Sequence, residues 1–266
     1  MLRNNLLASC LPVGRVQKNK TETLPVRPAK ISICLRQTVS LALHMNNRIG
    51  AIEKGVLLLI AGMLAVGYLL LFTNQPLFNR YVYEDGVVEW LTVIGLLLAA
   101  FTCFSRAVQL RLAKPLLFVV TAVLMGLVLF FGAGEEISWG QRILGVQSPD
   151  YFKQNNSQGE TNFHNLVLGG VRINRWIFSF LLTAVLGIYV VLMPFLYRNK
   201  SWAKNFIDGL GIPLPKIYQA MAFVTLFVVC QLMPHEKRAE LLEAGTALLL
   251  FLVIGHPQNK GTFTPH

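Results

Sequence analysis

Charge is scarce in this sequence. Asp, Glu, Lys and Arg make up only 14% of its 266 residues, while 54% are hydrophobic and the mean hydropathy is +0.52. A soluble domain carries about 25% charged residues, so composition points to a polytopic membrane protein. Cysteine is also sparse, with four residues and no C-x-x-C or other metal spacing. Cys10 and Cys34 lie near the N-terminus, and Cys103 and Cys230 sit inside apolar runs. That leaves neither a zinc finger nor a disulfide framework. The specific catalytic signatures are missing too. His235-Glu236 has no second His to complete an HExxH, and neither G-x-S-x-G nor a Walker-type loop occurs. Without any Glu-x-x-His, the di-iron arrangement of helical bundles is not met.

The charge that is present is unevenly placed. Residues 1–44 hold seven Lys/Arg and one Glu, a net +6, and residues 45–266 hold the remaining +5 of the formal +11. More than half of the basic excess therefore falls in a stretch with no spanning run, which argues against a nucleic-acid footprint. Its apolar runs are too short for a signal-peptide core. We expect residues 1–44 to be a basic, disordered arm that either lies on the anionic inner leaflet or stems from an over-extended gene start. Met45 opens MNNRIGAIEKGVLLLI, the form of a short cytoplasmic lead into a first membrane helix. N-terminal mass spectrometry of the native protein should find Met45 first, and peptides from residues 1–44 would refute this.

Six apolar segments follow, at about Lys54–Thr73, Val87–Phe104, Pro115–Gly134, Trp176–Tyr197, Ile217–Met233 and Leu241–Gly255. A bilayer core of about 30 Å needs roughly 20 apolar residues in a helix, and the last two segments are short for that. The expected fold is an all-α polytopic membrane helix bundle of about six transmembrane helices over residues 45–266, with an interfacial segment between the third and fourth. Lys/Arg in the short loops set its orientation. Arg48 and Lys54, then Arg106, Arg111 and Lys114, then Arg198, Lys200, Lys204 and Lys216, and finally Lys260 put both termini in the cytoplasm. Most acids then fall on the outer face, with His164 and His235; only Glu53 and Asp208 of residues 45–266 fall on the inner one.

Four polar groups stand out on that outer face. The block GEEISWGQR, Gly134 to Arg142, begins where a greasy run ends. A carboxylate there is costly, roughly 2.5–3.5 kcal/mol at mid-membrane and less near the interface. If the third helix continues, Glu135, Ser138 and Arg142 share a face at i, i+3 and i+7 while Glu136 points elsewhere. One carboxylate would pair with Arg142 and the other act as base or metal ligand. The plainer account is an interfacial turn with an internal salt bridge and Trp139 as headgroup anchor. The second group, Gln158, Glu160, Asn162, His164 and Asn165, lies in a long connection of the kind that tends to be functional or disordered. His164 suits a ligand or general base, and equally a surface histidine. In the third, Glu236, Glu240 and Glu243 form an i, i+4, i+7 stripe leading into the last segment, either a functional face or a solvated helix start. The fourth, Glu84, Asp85 and Glu89 with Trp90, reads best as a capped interfacial helix start.

GEEISWGQRILG followed by QGETNFHNL resembles a family of uncharacterised bacterial multi-pass membrane proteins that carry a similar GEEISWGQR block and a downstream Q-x-E-x-N-x-H-N block. The resemblance spans about Gly132–Leu168. It implies a bacterial inner-membrane protein and adds weight to Glu135, Glu136, Gln141, Glu160, Asn162 and His164, but supplies no mechanism. Alkaline-ceramidase-like membrane hydrolases offer an analogy only, since their three-histidine pattern is not evident. The leading expectation is a metal-assisted hydrolase or transferase acting on a lipid-linked substrate. Its catalytic set would be Glu135, Glu136, Ser138, Gln141, His164 and Glu240, with Glu136, His164 and Glu240 holding a divalent metal such as zinc that activates water. The alternatives are a transport or membrane-assembly component binding a cation or proton through the same acids, and a non-catalytic scaffold. The expected partners are membrane lipids, not nucleic acid.

Overall fold

A computed structural model describes residues 49–83, 86–168, 171–172 and 181–265. The arm at 1–44, the Met45 start, Glu84, Asp85 and the start of the fourth apolar segment at Trp176 lie outside the described residues. Each of the six apolar segments contains a helix. These are α1 (Ala51–Thr73), α2 (Val87–Leu110), α3 (Leu116–Glu136), α4 (Leu182–Asn199), α5 (Ile217–Gln231) and α6 (Arg238–Gly255). The fold is all-α, apart from a two-residue hairpin pairing Val167–Leu168 with Val171–Arg172. Four helices, α1 to α4, are long and apolar enough to cross a membrane; α5 is a shorter apolar helix. Helix α6 has 18 residues but begins on Arg238, Glu240 and Glu243.

The helix ends follow local chemistry. After α1, Asn74 Oδ1 accepts from Leu77 N at 3.1 Å and starts the short helix Gln75–Tyr81, with Pro76 in the first turn where no N–H is needed. Pro115 likewise opens α3. In α4 a π-helical turn spans Ile188–Leu192, just ahead of Pro194, whose missing N–H would interrupt a regular helix there.

Helix α6 is the spine. Leu241, Ala244, Leu249, Leu252 and Val253 are fully buried, packed with Met63 of α1, Phe78 of the short helix, and Leu226 and Cys230 of α5. Helix α2 packs between α6 and α3. Close backbone fit accompanies this packing. Gly95 shows that fit, because a Cβ there would sit 2.9 Å from the backbone carbon of Ala247.

The two ends of the bundle differ. At one end Glu53 of α1 is buried against Lys216 Nζ (2.7 Å) and the Tyr218 hydroxyl, and Arg106 donates to Gly255 O at 3.1 Å while lying over the Phe263 ring. We call this the basic end. At the other, acidic end α3 stops and the long connection begins. Gly95→Val should force α2 and α6 apart and cost about 1–3 kcal/mol, read as a lower unfolding temperature of detergent-purified protein; an unchanged temperature would contradict this packing.

Candidate acid–base site at one end of the bundle

Helix α3 does not run on through the GEEISWGQR block. It ends at Glu136, and Ser138, Trp139 and Gly140 follow at φ of +48°, +55° and +74°. Two successive non-glycine residues in the left-handed region each cost roughly 1–2 kcal/mol, so the surroundings must hold them. The short helix Gln141–Leu144 then ends at Gly145 (φ +66°), and the helix Asp150–Asn155 leads to a loop closed by an Asn156–Leu166 bridge. The expected i, i+3, i+7 face is therefore corrected: Glu135, Ser138 and Arg142 do converge, but through a left-handed turn rather than a helix.

They converge on the second block. Glu135 is 2% exposed. Its carboxylate accepts from Trp139 Nε1 at 2.8 Å and from the backbone N–H groups of Phe163 at 2.6 Å and His164 at 3.1 Å. Ser138 is fully buried, donates to Glu160 and accepts from Asn162 Nδ2 at 2.7 Å. Gln141 donates to Ser148 and accepts from Thr161 N at 2.8 Å. Asn156 donates to both oxygens of Asn162 and receives the N–H of Gln158 at 2.8 Å. Arg142 completes the lattice, with Nη2 2.7 Å from Glu89 on α2 and Nη1 3.1 Å from Glu160. The internal Glu–Arg142 pair expected within the block is thus replaced by pairs to Glu89 and Glu160. Trp139 anchors to Glu135 and Phe131 and is otherwise exposed.

Glu136 belongs to a different set. It lies within electrostatic range of Glu243, Glu240, Glu89 and Glu135, and like Glu240, Glu243 and His164 it is half-buried. Lys237 Nζ pairs with Glu240 at 3.4 Å. Neither Glu136 nor Glu243 makes a hydrogen bond or ion pair among the described residues. His164 interacts with Glu240, Glu135 and Glu89. Burial pushes its imidazole below the usual range, and those three carboxylates oppose the shift without cancelling it.

Six candidates were named from the sequence. Glu135, Ser138 and Gln141 sit in the hydrogen-bonded lattice, whereas Glu136, His164 and Glu240 line the acidic cluster. Glu136, His164 and Glu240 are also the expected metal trio. The three share one neighbourhood, but among the described residues no group of three or more His, Cys, Asp or Glu is arranged to hold a metal ion. Glu240 is turned to Lys237, and the His164 backbone is tied to Glu135. Glu236 lies before α6, which starts at Arg238, and is exposed, so the acidic stripe reduces to Glu240 and Glu243. His235 packs its ring edge-on to Phe78 at 4.7 Å, and its Nδ1 accepts from Lys237 N. Sequence reasoning missed Asn156, for which no local signal existed, and read Glu89 as a helix-start acid when it is a partner of Arg142.

No protein-family model, curated protein or solved structure matches this chain.

Arg142→Ala should leave the Glu89 and Glu160 carboxylates without the guanidinium that joins them and destabilise by about 3–5 kcal/mol, measurable as loss of folded protein in detergent. The His164 shift fixes a second outcome. An unfolded imidazole titrates near 6.5 and the folded one lower, so on acidification the unfolded chain takes up its proton first. The stability tied to neutral His164 is complete above 6.5 and is lost as pH falls through the folded value. His164→Gln should flatten the decline in unfolding temperature between about pH 7 and pH 5; an unaltered slope would refute it.

Proposed function

We propose that this chain is an integral protein of the bacterial inner membrane, related to the family that its paired blocks resemble. Residues 45–266 would cross the membrane about six times with both termini cytoplasmic. Its acidic end would be an acid–base site on the periplasmic face that hydrolyses, or transfers a group from, a lipid-linked substrate. The loop charges support the orientation, since Arg106, Arg111, Lys114, Arg198, Lys200, Lys204 and Lys216 belong to connections on the basic side.

One observation carries the catalytic reading. Glu136 and Glu243 make no hydrogen bond or ion pair among the described residues, and Glu240 lies within electrostatic range of both Glu136 and His164, next to a frame of hydrogen-bonded side chains. A well-supported frame that holds unsatisfied acid and base groups is what positioned proton transfer requires. In this scheme neutral His164 takes the proton from a water or an acceptor hydroxyl as its oxygen attacks the substrate. The carboxyl group of Glu136, in its protonated form, donates to the departing oxygen or nitrogen. Glu240 and Lys237 set the charge around His164. His164 then releases its proton to solvent and Glu136 takes one up, which restores both groups for the next turnover, and no step requires a metal.

The transport alternative receives less support. The buried polar residues described are Glu53, Gln219 and Asn259 toward the basic end and Glu89, Glu135, Ser138, Ser148, Asn156 and Asn162 toward the acidic end. The remaining one, Thr92, is bonded to its own helix at Val88 O. A polar path through the apolar middle is therefore absent among the described residues. The scaffold alternative makes the opposite prediction about stability.

The test is turnover of a bacterial lipid extract by the purified full chain, followed by mass spectrometry of the products. His164→Asn and Glu136→Gln should each lower turnover on the order of a hundredfold or more with an unchanged unfolding temperature at pH 7. Loss of stability without any wild-type turnover would favour the scaffold and end the catalytic reading.

A further inference from the structure

The helix Ser201–Leu210 is not among the six apolar segments, and it sits at the end opposite the acidic site. Lys200, in extended geometry at φ −130° and ψ 120°, ends α4 and begins this helix without a linker. At its other end Gly211 has φ +66°, and a Cβ there would run into the ring of Phe118, in the first turn of α3. The helix, roughly 15 Å long at 1.5 Å per residue, therefore reaches from the end of α4 to the start of α3, lying across the basic end.

Its faces are sharply divided. Ala203 and Ile207 are buried toward the bundle. Trp202 and Phe206, also spaced i, i+4, are 62% and 56% exposed. Lys200 and Lys204 form a third stripe and are exposed, as is neighbouring Arg198. The acids of this end leave those charges uncompensated. Glu53 is engaged by Lys216 and Tyr218, while Asp208 accepts from Tyr197, from Asn259 Nδ2 at 3.1 Å and from Thr262 Oγ1 at 2.8 Å. Neither Lys200 nor Lys204 makes an ion pair among the described residues. An exposed Trp and Phe next to exposed lysines, on a short helix lying across the ends of membrane helices, match the interface of a leaflet rich in anionic lipid.

We propose that the helix Ser201–Leu210 is a docking surface for anionic phospholipid headgroups, with Lys200 and Lys204 engaging the phosphate and Trp202 and Phe206 seated among the glycerol and upper acyl chains. This rests on the membrane-spanning part of the reading above and not on the acid–base site. The helix is pinned from behind by the chain's own C-terminal segment. Asn259 ties Leu214 N (3.0 Å), Ile212 O (3.0 Å) and Asp208 together, which gives the lipid a preformed surface.

The full chain in detergent, titrated with phosphatidylglycerol or phosphatidylcholine and read by native mass spectrometry, tests the proposal. The wild type should retain phosphatidylglycerol in preference to phosphatidylcholine. The K200Q/K204Q variant should bind phosphatidylglycerol on the order of twentyfold more weakly, about a factor of five for each basic residue at an anionic surface, with phosphatidylcholine unaffected. W202S/F206S should weaken both lipids alike. Equal retention of the two lipids by wild type, an unaltered K200Q/K204Q, or displacement by inorganic phosphate at matched ionic strength would each overturn the proposal. Carbonate extraction separates the two failures: release of wild-type chain from membranes would overturn the spanning reading as well, whereas retention leaves the lipid result to stand or fall alone.

Discussion

Arg142 joins parts of the chain that no helix-to-helix contact alone would align. One side of its guanidinium meets Glu89 on α2 and the other meets Glu160 in the long connection after α3. All three side chains are largely shielded from water. Pairing at that depth is favourable only when geometry and further hydrogen bonds satisfy both acids. Here Ser138 and Asn162 supply them to Glu160. The same serine is held in the left-handed region, and the strain of Ser138 and Trp139 is offset by bonds that only this turn can make. Without the guanidinium, the turn would lose the acid that Ser138 donates to, and the loop bearing His164 would lose its register against α3.

That dependence explains how two sequence blocks separated by a polar connection are held against each other. Glu135 takes the N–H groups of Phe163 and His164, Gln141 takes that of Thr161, and Ser138 meets Glu160 and Asn162. Of the polar side chains in the first block, Glu135, Ser138, Gln141 and Arg142 each reach the second. Glu136 is the exception, and it is the residue facing the α6 acids. The adjacent acids therefore divide the labour, one bracing the loop and its neighbour facing the open cluster.

Much of the bundle was legible because hydropathy is a bulk property that survives any detail of packing. All six apolar runs contain helices, and α3 and α5 start within a residue or so of where the sequence suggests. Helix α2 extends beyond Phe104 to Leu110 because Arg106, which hydropathy counts as a terminator, finds Gly255 O and the Phe263 ring. The helix Ser201–Leu210 passed as a basic loop, since its apolar residues lie on two faces and never form a run. At the candidate site the residue types were legible and the geometry was not. Periodicity assumes the helix continues, and only Gly140 hinted at a left-handed turn; Ser138 and Trp139 rarely adopt it. The partner of Arg142 was equally hidden, because spacing favours near neighbours whereas Glu89 is supplied by another helix.

The position of His164 gives the division between frame and cluster its functional sense. A histidine on a loop ordinarily samples water, where neither its tautomer nor its direction is fixed. This one has its own N–H on Glu135, and the residues on either side are held as well, Phe163 N by Glu135 and Asn165 N by Asn162 Oδ1. Its backbone is thereby held within electrostatic range of Glu240, with little freedom to retreat. Desolvation keeps the ring neutral while three carboxylates favour its charged form, so a proton arriving there is resisted by burial and welcomed by charge. Burial outweighs the carboxylates, which keeps the imidazole in the basic form that the proposed reaction asks of it.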